Sequence, residues 1–178
     1  MAILKNTEEL KNELGSLIWR MATNLVHGGK VSPVQFMDYT LGALFYRFIS
    51  ENITDYCNQL MADAGVQNPD YANMNDATAE NARDQIINAK GFFILPSQLF
   101  INVANGASKN TELNTTLANN FKAIEQSAIG KPSENDVKGL FSNFNTNDDG
   151  LGATVTARNE LLTTLLENVR DLNFTTYI

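Results

Sequence analysis

The chain has 178 residues, enough for one domain with a hydrophobic core that needs neither metals nor disulfides to hold it. Apolar residues make up 43% and charged residues 19%, a balance that excludes a disordered tail. Lys and Arg total 13 against 20 Asp and Glu, so the formal net charge of -7 repels a polyanion on average, and any contact with DNA must be local.

Cys57 is the one cysteine, which excludes an intramolecular disulfide and a thiolate metal cluster and fits a reducing interior. Met1 to Leu10 is mixed polar, and no run approaches the roughly 20 apolar residues of a membrane span. The expectation is a cytoplasmic protein without membrane attachment.

From Asn6 to Val26, Leu10, Leu14, Leu17, Ile18, Met21 and Leu25 recur at three- and four-residue steps, which predicts an amphipathic helix stopped by Gly28-Gly29. Ser32-Pro33 suits an N-cap and first turn. Phe36 to Leu60 then reads as the core helix, with Leu41, Leu44, Phe45, Phe48 and Ile49 as its buried stripe. Gly65 to Asn75, containing Asn68-Pro69-Asp70-Tyr71, reads as a mobile loop or linker.

A helix over Thr78 to Asn88 leads into Lys90-Gly91-Phe92-Phe93-Ile94-Leu95-Pro96, a brief extended segment between Gly and Pro. Ser97 caps a helix reaching about Val103. Another runs from Glu112 to Ile129 with Leu113, Leu117, Phe121, Ile124 and Ala128 on one face, ended by Gly130 and Pro132. Asp136 to Leu151 is turn-rich. The last helix, Thr156 to Asp171, turns Leu161, Leu162, Leu165, Leu166 and Val169 inward. With no repeat and no βαβ alternation, the fold class is all-α: an irregular helical bundle with room for a very small strand pair near Phe92 to Leu95.

Few residues offer chemistry. Asn145-Thr146-Asn147-Asp148-Asp149-Gly150 has the alternating oxygens of half a calcium loop, but the position for a bidentate Glu holds Thr156, so a polar turn is the better reading. Asn68-Pro69-Asp70-Tyr71 is one proline short of the Asn-Pro-Pro-aromatic motif of amino-methyltransferases, and no strand or Gly-rich cofactor loop precedes it; it too reads as a turn. His27, the single histidine, sits at a helix end, where capping is the expected role. Trp19, Phe45, Tyr46 and Phe48 have helical spacing, the mark of core rather than of a base-stacking platform. No catalytic, cofactor-binding or metal residue is identified. Among the scattered lysines Lys30, Lys90, Lys109, Lys131 and Lys138, the DNA-contact candidates are Lys30, Lys90 and Lys131, all at predicted loops.

Five segments carry a resemblance in their order and spacing: Leu17-Ile18-Trp19-Arg20-Met21-Ala22; Leu41-Gly42-Ala43-Leu44-Phe45-Tyr46-Arg47-Phe48-Ile49-Ser50-Glu51; Gly91-Phe92-Phe93-Ile94-Leu95-Pro96-Ser97-Gln98-Leu99-Phe100; Pro132-Ser133-Glu134-Asn135-Asp136-Val137-Lys138-Gly139-Leu140-Phe141; and Leu151-Gly152 through Arg158-Asn159. Together, from about Leu14 to Phe174, they resemble the N-terminal helical region of the modification subunit of type I restriction-modification systems. The resemblance implies a parent that methylates adenine N6 in DNA with S-adenosylmethionine, pairs with a specificity subunit and can join a restriction subunit. In that family the methyltransferase sheet, cofactor loop and Asn-Pro-Pro motif lie C-terminal to this region.

Residues 1–178 are therefore expected to form a single N-terminal helical domain without the catalytic domain or any cofactor of its own. Its implied work is to clamp DNA and to contact the other subunits and the catalytic domain of the same subunit. The rival reading is a stand-alone acidic interaction module or DNA-mimic regulator. Against it, the negative charge is diluted by Asn and Thr rather than set in dense rows.

Overall fold

Ser32 and Pro33 begin the longest helix as the sequence requires. The Ser32 hydroxyl accepts the Gln35 N–H, the Gln35 side chain accepts the Ser32 N–H, and Pro33 occupies the first turn. In this computed structural model, which describes residues 31–172 and positions 12, 15, 16 and 19, helix α1 runs Pro33–Asp63. The predicted helix Asn6 to Val26 otherwise lies outside the described residues, as do His27, Gly28-Gly29 and Lys30.

Of the five residues expected on the buried face of α1, only Ile49 is fully inside. Phe36, Tyr39, Thr40, Ala43, Tyr46, Ile49, Ser50, Ile53 and Cys57 face inward, whereas Leu41, Phe45 and Phe48 are 47%, 37% and 61% exposed and Leu44 is half-buried. The reason is polar satisfaction. The inward hydroxyls all have partners: Thr40 donates to Phe36 O at 2.9 Å, Ser50 Oγ accepts the Phe100 N–H at 3.0 Å, and Tyr46 donates to Gln98 O. A helix with apolar residues on two sides can bury either, and hydrophobicity alone did not reveal which.

The segment expected to be a mobile loop is pinned. Asp70 caps a short 3₁₀ turn, Tyr71–Asn73, and Tyr71 is buried. Its N–H donates to Asn58 Oδ1 at 2.8 Å and its hydroxyl to Ile94 O at 2.7 Å. The predicted helix Thr78 to Asn88 is two pieces, α2 (Asp76–Glu80) and α3 (Arg83–Lys90), interrupted at Asn81 and Ala82. Gly91, in the left-handed region at φ 87, ends α3.

The possible strand pair near Phe92 to Leu95 is absent: no strand occurs among the described residues. The extended backbone there meets side chains instead, Phe93 donating its N–H to Ser127 Oγ at 2.9 Å and Ile94 accepting from Tyr71. Helices α4 (Phe100–Gly106), α5 (Leu113–Ser127), α6 (Glu134–Val137) and α7 (Val155–Arg170) follow, so the described fold is all-α. The predicted stripes of α5 and α7 are inside, Leu161 only partly.

Helices α1, α4, α5 and α7 surround the core. At its centre Phe121 and Phe141 stack with ring centres 4.0 Å apart, and Tyr46 meets Phe100, Phe121 and Phe141 edge-on. A buried side chain of this size contributes about 1.5–3 kcal/mol, against at most about 1 for an exposed ion pair such as Arg83–Glu80, so the core holds the fold. Among the described residues, no helix is long and apolar enough to cross a membrane.

Candidate functional site

Two of the three lysines proposed from sequence occupy one corner. Lys90 ends α3 and Lys131 follows α5, on either side of a contact in which Ser133 Oγ donates to Gly91 O. Each is engaged: Lys90 Nζ lies 5.1 Å from the centre of the Tyr56 ring, and Lys131 Nζ is 3.4 Å from Asp84 Oδ1. Nearby on α3, Arg83 covers Phe93 at 4.4 Å and pairs with Glu80. The corner is thus mixed in charge, not a dense basic groove. Lys30 lies outside the described residues.

The motifs set aside as turns are turns. Tyr71 of Asn68-Pro69-Asp70-Tyr71 is buried with its hydroxyl bonded to Ile94 O, so its ring is closed to a flipped base. In Asn145 to Gly150, Asn145 Oδ1 accepts the Asn147 N–H, Asp148 Oδ1 accepts the Gly150 N–H, and Asp149 pairs with Arg158 at 2.8 Å. Of the proposed aromatic group, Tyr46 is core, but Trp19, Phe45 and Phe48 are exposed by 48%, 37% and 61%. That corrects the expectation that all four are interior.

Three working residues escaped the sequence reading. Arg47 reaches from α1 to the end of α7, donating to the carbonyls of Val169, Arg170 and Leu172 at 2.7, 3.2 and 2.8 Å, where a helix leaves acceptors unpaired. Asn159, buried in α7, accepts the Asn114 N–H at 2.9 Å and donates to Thr111 O at 2.6 Å, tying down the start of α5. Asp76 accepts from the backbone and hydroxyl of Ser97. These contacts span 21 to 125 positions of chain, so no local spacing could display them.

A cleft of about 410 Å³ beside α7 is lined by Ser108, Asn110, Thr111, Asn159, Glu160 and Thr163 among others. Its wall is of hydroxyls, amides and a single carboxylate, with no cationic side chain to neutralise a phosphate. Three of the segments that carry the family resemblance meet in the core: Tyr46 donates to Gln98 and packs on Phe100 and Phe141, and Gly91 accepts from Ser133.

A sequence model of the family described as HsdM N-terminal domain matches residues 14–169. The chain belongs to that family. The chain is 39% identical over 174 residues to the type I restriction enzyme MpnII methylase subunit of Mycoplasma pneumoniae, covering 93% of this chain and 31% of that protein. Its fold is similar to the crystal structure of a type I restriction-modification methyltransferase subunit from Streptococcus thermophilus, with a TM-score of 0.71 at 19% identity over 95% of this chain and 35% of the other. The chain spans about a third of the length of the relatives it matches.

Proposed function

We propose that the chain is the noncatalytic N-terminal domain of an adenine-N6 DNA methyltransferase subunit, serving to clamp DNA and to contact the specificity subunit and the catalytic domain of its own subunit. A restriction subunit would join the same assembly. The observation that carries this reading is the identity of 39% with a type I methylase subunit across 93% of this chain but only 31% of that protein. Methyl transfer from S-adenosylmethionine then belongs to the remainder of such a subunit.

Among the described residues, the glycines lie where they support this division rather than a cofactor cradle. A dinucleotide-like cradle needs a glycine-rich turn between a strand and a helix. Here the left-handed glycines Gly65, Gly91, Gly130 and Gly139 each follow the end of a helix. No step of the reaction is assigned to this chain.

Calorimetric titration of S-adenosylmethionine tests the division of labour. This chain should give no heat of binding, and a chain continued through a downstream methyltransferase frame should bind. Saturable binding to the 178-residue chain would overturn the noncatalytic reading.

A further inference from the structure

A pocket opens where the end of α1 meets the Tyr71 turn, α2 and α3. Leu60, Met61, Val66, Tyr71, Met74 and Ile86 line it, around a cavity of about 170 Å³. Gln85 is the only amide on its wall, and the Tyr71 hydroxyl is already spent on Ile94 O. An apolar cavity of roughly 150 Å³ admits a benzene ring, so this one has room for a phenyl or branched aliphatic side chain.

The pocket is open to solvent rather than sealed in the core. Val66 is 47% exposed, and Ala64 and Gln85 on the same wall are exposed as well. Met61 and Met74 are half-buried, and their unbranched thioethers can adjust to the shape of a guest. An open apolar concavity of this size is the form in which protein surfaces receive the anchoring side chain of a partner.

The charge around it is of one sign. Residues 48–82 carry Glu51, Asp55, Asp63, Asp70, Asp76 and Glu80 and no Lys, Arg or His, and every lining residue except Gln85 and Ile86 comes from this stretch. Asp63, Asp70 and Glu80 are each the chain neighbour of a lining residue. The carboxylates of Asp63, Asp70 and Asp76 accept from the neutral Gln59, Asn73 and Ser97 side chains, so these bonds leave their charge uncompensated. The cations of α3 are engaged elsewhere, Arg83 with Glu80 and the Phe93 ring, Lys90 with the Tyr56 ring.

We propose that this pocket is an anchor site for a protein partner, taking one bulky apolar side chain from a segment in which lysines or arginines flank it. The occupant is a basic polypeptide because the flanking charge is acidic. The same carboxylates repel nucleic-acid phosphates and an anionic lipid surface. This inference is independent of the DNA and cofactor readings.

The test is titration of synthetic peptides into the isotope-labelled 178-residue chain, followed through its amide chemical shifts. The probes are three capped heptapeptides: phenylalanine between two runs of lysine, alanine between the same runs, and phenylalanine between two runs of glutamate. The first should bind with a Kd below about 1 mM, shift chiefly amides within residues 57–86, and bind at least about tenfold more tightly than either control. Ala64→Phe fills the pocket from an exposed position without changing charge and should weaken that binding at least about tenfold; Asp63→Asn/Glu80→Gln should weaken it at least about threefold. No binding below about 1 mM, equal affinity for the two lysine peptides, preference for the glutamate peptide, or shifts centred elsewhere would each overturn the proposal. The comparison of peptides needs no variant, so a folding defect in a variant does not blunt it. Shifts of the same amides on raising the concentration of the chain alone would give the pocket to a second copy and would overturn it too.

Discussion

Asn159 is 6% exposed in the middle of α7, and both ends of its amide are in use, one on the Asn114 N–H and one on Thr111 O. Asn159→Ala leaves the buried Asn114 N–H at the start of α5 without a partner and frees the part-buried Thr111 carbonyl. The expected loss of stability is about 1–3 kcal/mol, read as a lowered urea midpoint with unchanged slope; a loss under about 0.5 kcal/mol would remove Asn159 from the fold's supports. A second residue-scale effect is alkaline. Burial pushes the Cys57 thiol up to about 11, with Lys90 opposing, and burial followed by Asp148 and Asp38 pushes Tyr39 up to about 12. Burial also raises Tyr46 and Tyr71 above the ordinary phenol range. In each case the folded chain favours the neutral, protonated form. The stability tied to it is fully present below the unfolded-state values of 9.0 for Cys and 10.0 for Tyr, and is lost as pH rises toward the folded ones. Tm should stay level with respect to these groups up to about pH 9 and decline above it, and Cys57→Ala should remove the earliest part of that decline. A Cys57→Ala profile identical in shape to the unaltered one would contradict it.

Among the elements, α5 and α7 were legible because each carries one apolar face and clear stops, whereas α1 was misread because it carries two. What selects the inward face of α1 is a set of hydroxyls and small residues, Thr40, Ala43, Ser50 and the ring and hydroxyl of Tyr46, whose partners come from segments 52 or more positions away in the cases of Tyr46 and, at 50, Ser50. Such partners carry no local signal. The extended run after Gly91 was legible as extended but not as unpaired, since its carbonyl and amide partners are the Tyr71 and Ser127 side chains. Gly91 itself joins two elements. Its φ is 87, and a Cβ there would lie 2.9 Å from Ser133 Cβ, while Gly130, at φ 74, has open space around it. Gly130→Ala should therefore cost only the left-handed strain, about 1–2 kcal/mol, and Gly91→Ala that strain plus the displacement of the 132–141 segment. Thermal or urea unfolding of the two variants decides it; equal losses would mean that Ser133 gives way freely.

At the scale of the whole molecule, the family-like segments 41–51, 91–100 and 132–141 meet one another in the interior, through Tyr46, Phe100, Phe141 and the Gly91–Ser133 contact, and that packing constrains their order and spacing. Any phosphate contact has no such signature, because a surface lysine looks alike in sequence whether it meets phosphate, carboxylate or an aromatic ring. Lys131 illustrates this, since it pairs with Asp84 at 3.4 Å, but an exposed pair of this kind is worth at most about 1 kcal/mol and opens readily toward a stronger anion. Lys90, over Tyr56 at 5.1 Å, is held comparably loosely. With a net charge of -7, the molecule as a whole opposes DNA, so a phosphate contact by these two lysines would be a local exception visible in the salt dependence of binding. In the assembled methyltransferase, Lys90→Glu/Lys131→Glu should weaken duplex binding similarly for specific and unrelated sequences. It should also flatten the slope of log affinity against log salt by about one per phosphate contact removed, hence by up to about two. A weakened affinity with the slope unchanged would place the effect in folding or subunit packing, and would take both lysines off the DNA.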